Sequence, residues 1–485
     1  MAPSFAVRGS SGAAPTKFNR AHARSVLTRQ ITGVLLILGL GSCVSYAPAP
    51  KPLGEIADQF ATRSASWTAA VQTCQRLAPS APCDPTRPDR LLLFALLIEN
   101  NPDVAAARAH LHSVEAAAVA ARAPAGPTLT LSTEYAKASS DPSPWLFGAA
   151  LDIPLDTGGR RTARIDSADL AVNIARYELA EAIWSARMGL VRALDEVSTA
   201  MGQLTLASNL IALQERRMQA MDRRVSAGEA SRAELERARS DLADARRRDA
   251  AATAMREAGK VQVAKALGLA AANLPASLPD GGAFGADVHV LLPTAQQRSR
   301  ALLARADLLK TMITYDQAEA NLRGEVAKQY PAISVGPGFT WERGLVKLPF
   351  NVGLVLPPLD LNRRNIRAAE ARRSEAGVAL EAAYASAVGS VDVAYAEITA
   401  ARRALADVRK LDLPIAQRLA VQADREIAAG AIDRTDWAVA QAGLLIARLA
   451  EVDAITRVVV ANAALEDALR RPLSGPETWI EGNSR

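Results

Sequence analysis

From Arg160 to Ser226 small apolar residues recur at steps of three and four: Ile165, Ala168, Val172, Ala175, Leu179, Ala182, Ala186, Gly189 and Ala193. That spacing is the seam of a coiled coil, and side chains this small let helices approach closely. It predicts one helix of about 100 Å at 1.5 Å per residue. A matching run extends from about Leu361 to Ala429, with a kink or break expected at Pro414 because the ring removes a donor and collides with the preceding turn. Each long run stops at a glycine, Gly228 in VSAGEASRAEL and Gly430 in IAAGAIDRTDW, suited to a left-handed turn after a helix. Ser231 and Asp433 then stand as N-caps, Ser231 with Glu234 fitting a capping box. Return helices are predicted over about 231–267 and 433–469, and an earlier one from about Leu91 to Arg122.

Between the helices the period falls to two. In TLTLSTEYA, Leu129, Leu131 and Tyr135 oppose Thr128, Thr130, Ser132 and Glu134; in FGAALDIPL, Phe147, Ala149, Leu151 and Ile153 oppose Gly148, Ala150 and Asp152. Further on, Ile333, Val335, Phe339 and Trp341 face away from Ser334, Gly336, Gly338 and Thr340, and Phe350, Val352, Leu354 and Leu356 from Asn351 and Gly353. Two hairpins follow. They fit either small soluble hairpins packed on the helices or transmembrane strands of about nine residues with one apolar face and aromatic ends. Pro337 and Pro357 each remove a ladder donor.

The two halves are copies. Asp103, Glu115, Pro127, Leu129 and Asp156 recur at an offset of 204 as Asp307, Glu319, Pro331, Ile333 and Asp360; the offset falls to 203 at Arg164 and Arg367, and to 202 at Gly228 and Gly430. A register this steady marks duplication of a structural unit. With the leader and the Pro-rich stretches it divides the chain into a leader (1–42), a Pro-rich N-terminal segment (43–90) that reads as a periplasmic linker or as a segment lying on the surface of the main body, a first repeat (91–269), a Pro/Gly-rich connection (270–298), a second repeat (299–471) and a tail (472–485).

Composition changes this picture at three points. Aromatics make up 4% and apolar residues 49%, so Ala, Leu and Val carry the hydrophobicity, which favours long helices with small contacts. The net charge of +6 owes five positive charges to Arg8, Lys17, Arg20, Arg24 and Arg29, in a leader without acids; the remainder is nearly neutral, so nucleic acid is not an expected partner. The run ITGVLLILGL is too short to span a bilayer and suits a signal peptide. It ends in LGSC, which resembles a bacterial lipobox and would make Cys43 the lipid anchor; an ordinary signal with a coincidental cysteine is the alternative. Cys74 and Cys83 flank a Pro-containing loop and fit a disulfide in an oxidising compartment, or two free thiols.

Four strands cannot stand alone in lipid, because open edges would leave backbone groups unpaired. Two or three copies would close eight or twelve strands. The segment ALLIENNPDVAAARAHL, the strands ending in IPLDTGGRRTARIDSA, the duplication and the two Gly-interrupted turns together resemble the TolC family of outer-membrane efflux proteins. The resemblance implies a mainly α protein with transmembrane β-strands, four strands and long coiled-coil helices per chain. Three chains would form a 12-stranded barrel in the outer membrane, continued by an α-helical barrel in the periplasm. The implied partners are a periplasmic adaptor and an inner-membrane pump of the resistance-nodulation-division type. TWERGLVKLPFNVGLVLPPLDLNRR looks most like the cobalt-zinc-cadmium branch, so metal cations join drugs as candidate cargo.

The resemblance makes Gly228 and Gly430 the adaptor-facing tips and places Asp436, six residues beyond Gly430, with its counterpart Glu234, as pore-gate acids. Repeated by symmetry they would form a ring attracting cations; the alternative is a solvated first-turn acid favoured by the helix dipole. Where the family's best-known member has a second acid, this chain has Val439, and Arg237 in the first repeat, which puts a double-acid constriction in doubt. His110 and His112 lie two apart and share no helix face, so no metal site is expected. No P-loop, dinucleotide fingerprint or nucleophile signature appears, so neither cofactor nor enzyme activity is expected. A duct for secreted proteins and a non-conducting coiled-coil lipoprotein scaffold are the competing functions.

Overall fold

The computed structural model describes residues 46–136, 143–275, 291–342, 344–478 and 480. The chain divides into two compact units, residues 1–58 and 59–485. Cys43 lies outside the described residues.

The helices are α1 (Leu53–Thr62), α2 (Trp67–Leu77), α3 (Arg90–Asn100), α4 (Pro102–Ala121), α5 (Arg160–Ser226), α6 (Arg232–Ala266), α7 (Ala295–Leu303), α8 (Ala306–Ala327), α9 (Arg363–Asp407), α10 (Leu413–Ala428) and α11 (Arg434–Leu469). The strands are β1 (Thr128–Tyr135), β2 (Trp145–Leu155), β3 (Ala332–Glu342), β4 (Leu345–Lys347) and β5 (Phe350–Val355). Toward the sheet α5 packs against α4 and α8, and α8 against α9; toward the opposite end α5 packs against α6 and α11, and α11 against α9 and α10. The 67-residue α5 therefore runs through both helical layers.

Four local outcomes differ from the sequence reading. The segment expected as a surface linker contains α1 and α2, and Ala70, Cys74 and Ala78 of its second helical region are fully buried. They pack on Leu91–Leu97, seven consecutive buried residues of α3, together with Leu190 and Ala193 of α5 and Val263 of α6. A disulfide joins Cys74 to Cys83, with their Cα atoms 6.1 Å apart. The helix expected from Leu91 to Arg122 is two, because Pro102 begins a new one: the Asn101 side chain accepts from the amides of Asp103 and Val104 at 2.9 and 3.1 Å, as an N-cap does.

The expected seam position Gly189 is exposed, whereas Arg187, Met188, Leu190 and Val191 are buried. Elements on several sides enclose α5 there, and a 3.6-residue helix cannot keep a 3.5-residue seam on one line indefinitely. Finally, Pro414 does not break the second long run. A five-residue π-turn, Val408–Asp412, precedes it, so the ring falls in the first turn of α10 and a widened turn, in place of a break, carries the backbone past it.

The duplication persists in backbone geometry. Gly158 and Gly159 have φ of 69° and 80°, and their counterparts Leu361 and Asn362 have 50° and 59°. Asn101 and Arg305 occupy equivalent positions and do equivalent work: Asn101 donates to the carbonyl of Ala266 at 2.8 Å, and Arg305 donates to that of Ala468. Two chemically unlike side chains thus tie the end of each return helix to the start of its repeat.

Candidate functional site

The sheet order is β1-β2-β3, with β3 paired to both β4 and β5. It is a four-stranded sheet whose last strand is split by Leu348 and Pro349; the amide of Gly338 bridges the gap to the carbonyl of Pro349 at 2.6 Å. All neighbours are antiparallel. Proline at 349 cannot donate to the ladder, which explains why four expected strands appear as five.

Register sorts the side chains onto two faces. Leu129 pairs with Leu151, Leu131 with Ala149, Tyr135 with Trp145, Phe147 with Trp341, Ala149 with Phe339, Ile153 with Val335, Ile333 with Leu354 and Val335 with Val352. The other face pairs Thr128 with Asp152, Ser132 with Gly148, Gly148 with Thr340, Ala150 with Gly338, Ser334 with Gly353 and Gly336 with Asn351. The first face is almost wholly apolar and exposed in the single chain, Leu131 at 73% and Val352 at 65%. Tyr135, Trp145, Phe147 and Trp341 form a ring cluster at its loop end, with successive centroids 5.0, 6.4 and 6.0 Å apart. Such a face belongs against hydrocarbon with aromatics at the interface. The second face is small and polar, and among the described residues β1 and β5 end the sheet without a neighbour.

At the helical junctions the PLD segments act structurally. Arg160 donates to the carbonyl of Tyr330 at 2.6 Å, Thr157 to that of Pro331 at 2.8 Å, and Asn362 to that of Glu325 at 2.9 Å. Asp156 lies 3.5 Å from Arg161, and Asp360 3.8 Å from Arg364. The Arg residues serve the β-to-α turn, not a ligand.

At the far end the two tip turns are built alike. The amide of Glu229 donates to Arg224 O and that of Ala431 to Glu426 O, each at 2.8 Å; Gly228 and Gly430 have φ of 77° and 71°. The expected acids then part company. Glu234 accepts from the Ser231 amide at 2.8 Å and hydroxyl at 2.9 Å, and these bonds hold its carboxyl below the usual range. Its charge is committed to the cap. The Asp436 amide donates to Asp433 at 2.8 Å, while its carboxylate makes no hydrogen bond or ion pair among the described residues. It borders a groove between α10 and α11 with Ile415, Leu419 and Val439. Arg224 pairs with Asp433 and Trp437 donates to Asp424 at 2.7 Å; the first contact links the two tips of one chain, a role for Asp433 beyond the cap expected from its position.

Another buried constellation had no sequence signal beyond charge. Arg187 and Glu466, each about 2% exposed, pair at 3.1 Å. The other Glu466 oxygen accepts from the amides of Leu473 and Ser474 at 2.8 and 3.0 Å, and Arg90 reaches Glu477 at 2.8 Å. This network holds the segment after α11 against α3 and α5. Among the described residues there is no His, Cys, Asp or Glu group able to hold a metal ion, and no helix long and apolar enough to cross a membrane. His110 and His112 turn to different carboxylates, Glu178 at 3.5 Å and Glu115 at 3.4 Å.

Residues 93–269 and 298–469 match the family model described as outer membrane efflux protein. No curated protein sequence matches the chain. Among solved structures it is similar to the outer membrane protein VceC from Vibrio cholerae, at 16% identity and a TM-score of 0.64 over 79% of this chain and 96% of that one. It is similar to CusC at 18% and 0.66, covering 79% and 92%. The open state of the MtrE outer membrane channel of Neisseria gonorrhoeae gives 20% and 0.64, covering 79% and 89%. At these identities the likeness establishes the fold.

Proposed function

Because the chain belongs to the outer membrane efflux protein family, whose members are transport ducts and not enzymes, we propose that three copies form a passive exit duct from periplasm to exterior. The outer membrane and efflux follow from the family; the trimer, its partners and its cargo are our reading. The observation that carries it is the two-faced sheet, apolar on one side, polar on the other, with β1 and the split β4/β5 strand as open edges. Three sheets of four strands give twelve, an even number that closes with every edge paired. The long helices then line the periplasmic continuation.

In this reading the leader is removed and Cys43 carries lipid. The Gly228 and Gly430 turns meet a periplasmic adaptor, which couples the duct to an inner-membrane pump of the resistance-nodulation-division type. Asp436, with its free carboxylate, is the better gate acid of the two; Glu234 is held by its own cap. The likeness of residues 340–364 to the cobalt-zinc-cadmium branch supports divalent cations as cargo delivered by the pump. Exposed apolar strands with unpaired edges count against a scaffold lying wholly in water.

Inter-chain cross-linking tests closure. Thr130→Cys in β1, combined in turn with cysteine at each of Phe350 to Leu354 in β5, is expected to yield covalent trimers in outer-membrane vesicles at one register. Absence of inter-chain product at every register, from protein that folds and reaches the membrane, would overturn the trimeric barrel.

A further inference from the structure

The polar face of the sheet does not carry its charges evenly. Of its charged residues, Glu342 is neutralised by Lys347 at 2.5 Å, and Glu134 stands at the loop end, two rows beyond Ser132. The remaining one is Asp152. Its carboxylate makes no hydrogen bond or ion pair among the described residues, in contrast to the nearby junction acids Asp156 and Asp360, which are paired with Arg161 and Arg364.

The residues around Asp152 are small. Thr128 is its partner on β1; Gly336 lies opposite on β3, itself paired to Asn351. A Cβ at Gly336 would come within 1.5 Å of the Leu151 carbonyl, so this row tolerates no side chain there. A Cβ at Gly353 would meet Asp152 Oδ1 at 3.8 Å, which places the carboxylate over a bare stretch of backbone. Glu134 apart, at the loop end, Asp152 is thus the uncompensated charge of this face, set in a row with Thr128, Gly336 and Asn351 and without a charged partner among the described residues.

We infer that Asp152 is the position that sets ionic preference within the barrel, favouring cations and their complexes over anions of similar size. The inference rests on the trimeric duct proposed above, which turns one carboxylate into a ring of three inside the pore. At about 10 Å from the axis, three such charges screened over a Debye length of about 10 Å enrich cations about two-fold and deplete anions by as much. The effect is independent of the tip, where Asp436 lies, because the two are separated by the length of α5. It acts whether the tip is open to its fullest extent or not, provided that ions pass.

Reversal potentials of single channels in a potassium chloride gradient test this. The native protein is expected to prefer potassium, and Asp152→Asn to lower the cation-to-anion permeability ratio about four-fold, the product of the two changes above. The shift should grow in dilute salt. Asp152→Cys should reproduce the loss, regain the preference after reaction with a sulfonate-bearing methanethiosulfonate, and reverse it with the trimethylammonium analogue. Conducting channels whose reversal potential is indifferent to Asp152→Asn and to both reagents would overturn the inference while leaving the duct intact. Absence of conductance in the folded, inserted trimer, both native and with the Arg224 and Asp433 link at the tip removed, would overturn the duct reading, and this one with it.

Discussion

Gly336 shows how one residue can decide a surface. Strands β2 and β3 approach so closely there that a methyl group would overlap the Leu151 carbonyl, so Gly336→Ala should force the strands apart and destabilise the proposed trimer, lowering the temperature at which it dissociates. A trimer of native stability would show that the approach is looser than described. Glu234 makes a different prediction. Hydrogen bonds from Ser231 depress its pKa in the folded state, so its stabilisation is complete above the ordinary carboxylate range and disappears as pH falls through the depressed value. Hydrogen-exchange protection at the start of α6, relative to the intrinsic rate at each pH, should therefore fall on acidification below about pH 4, and Glu234→Gln should remove most of that dependence. Asp436→Ala is expected to alter opening or cation preference without dissociating trimers; identical channels would reduce Asp436 to a first-turn acid. At this scale the sequence was legible for caps and turns, whose partners lie within four residues. It was silent on Asn101 and Arg305, because equivalence of an amide and a guanidinium appears only when both reach a distant carbonyl. It was equally silent on the Arg187 and Glu466 pair. Replacing Glu466 by Leu should cost about 3 kcal/mol, since it leaves the buried Arg187 guanidinium only its longer 3.6 Å contact with Glu477, and should lower the melting temperature of the protein.

Elements were read best where a periodic run met a distinct stop. The bounds of α5 follow from its seam, its Gly-Gly start and Gly228, and α6 and α11 follow from their caps. Short elements were harder: α1 and α2 lie among prolines, α1 buries no residue, and the burial of α2 comes from contacts with α3, α5 and α6 that no local pattern encodes. The split of the last strand depends on Pro349, whose effect on the ladder emerges only once its partner strand is known. Pro414 illustrates tertiary override of a local rule, since the Leu413 amide bonds to the Val408 carbonyl and a widened turn carries the chain past the ring. Pro414→Ala supplies a donor for the carbonyl of Lys410 and should convert the π-turn to α-helix, raising hydrogen-exchange protection across residues 408–414. Unaltered protection would assign the turn to packing against α11 instead.

For the molecule as a whole, alternation along the strands and the coiled-coil seams specify surfaces that one chain cannot bury. The apolar face, the unpaired sheet edges and the repeated helical layers have a common solution when three chains close around an axis. The sequence made this architecture legible because duplication leaves a register of 204, 203 and 202 residues that side-chain drift has not erased. It left the cargo open because a duct discriminates through a few lumenal charges, and not through an enclosed set of ligands. The most direct measurement is conductance of the detergent-purified trimer in planar lipid bilayers. Discrete ion-conducting steps are expected, with their occurrence increased by variants that loosen the Arg224 and Asp433 link at the tip. A folded trimer that inserts yet passes no current, in native form and in those variants at every voltage, would contradict the conclusion that this chain builds a conduit.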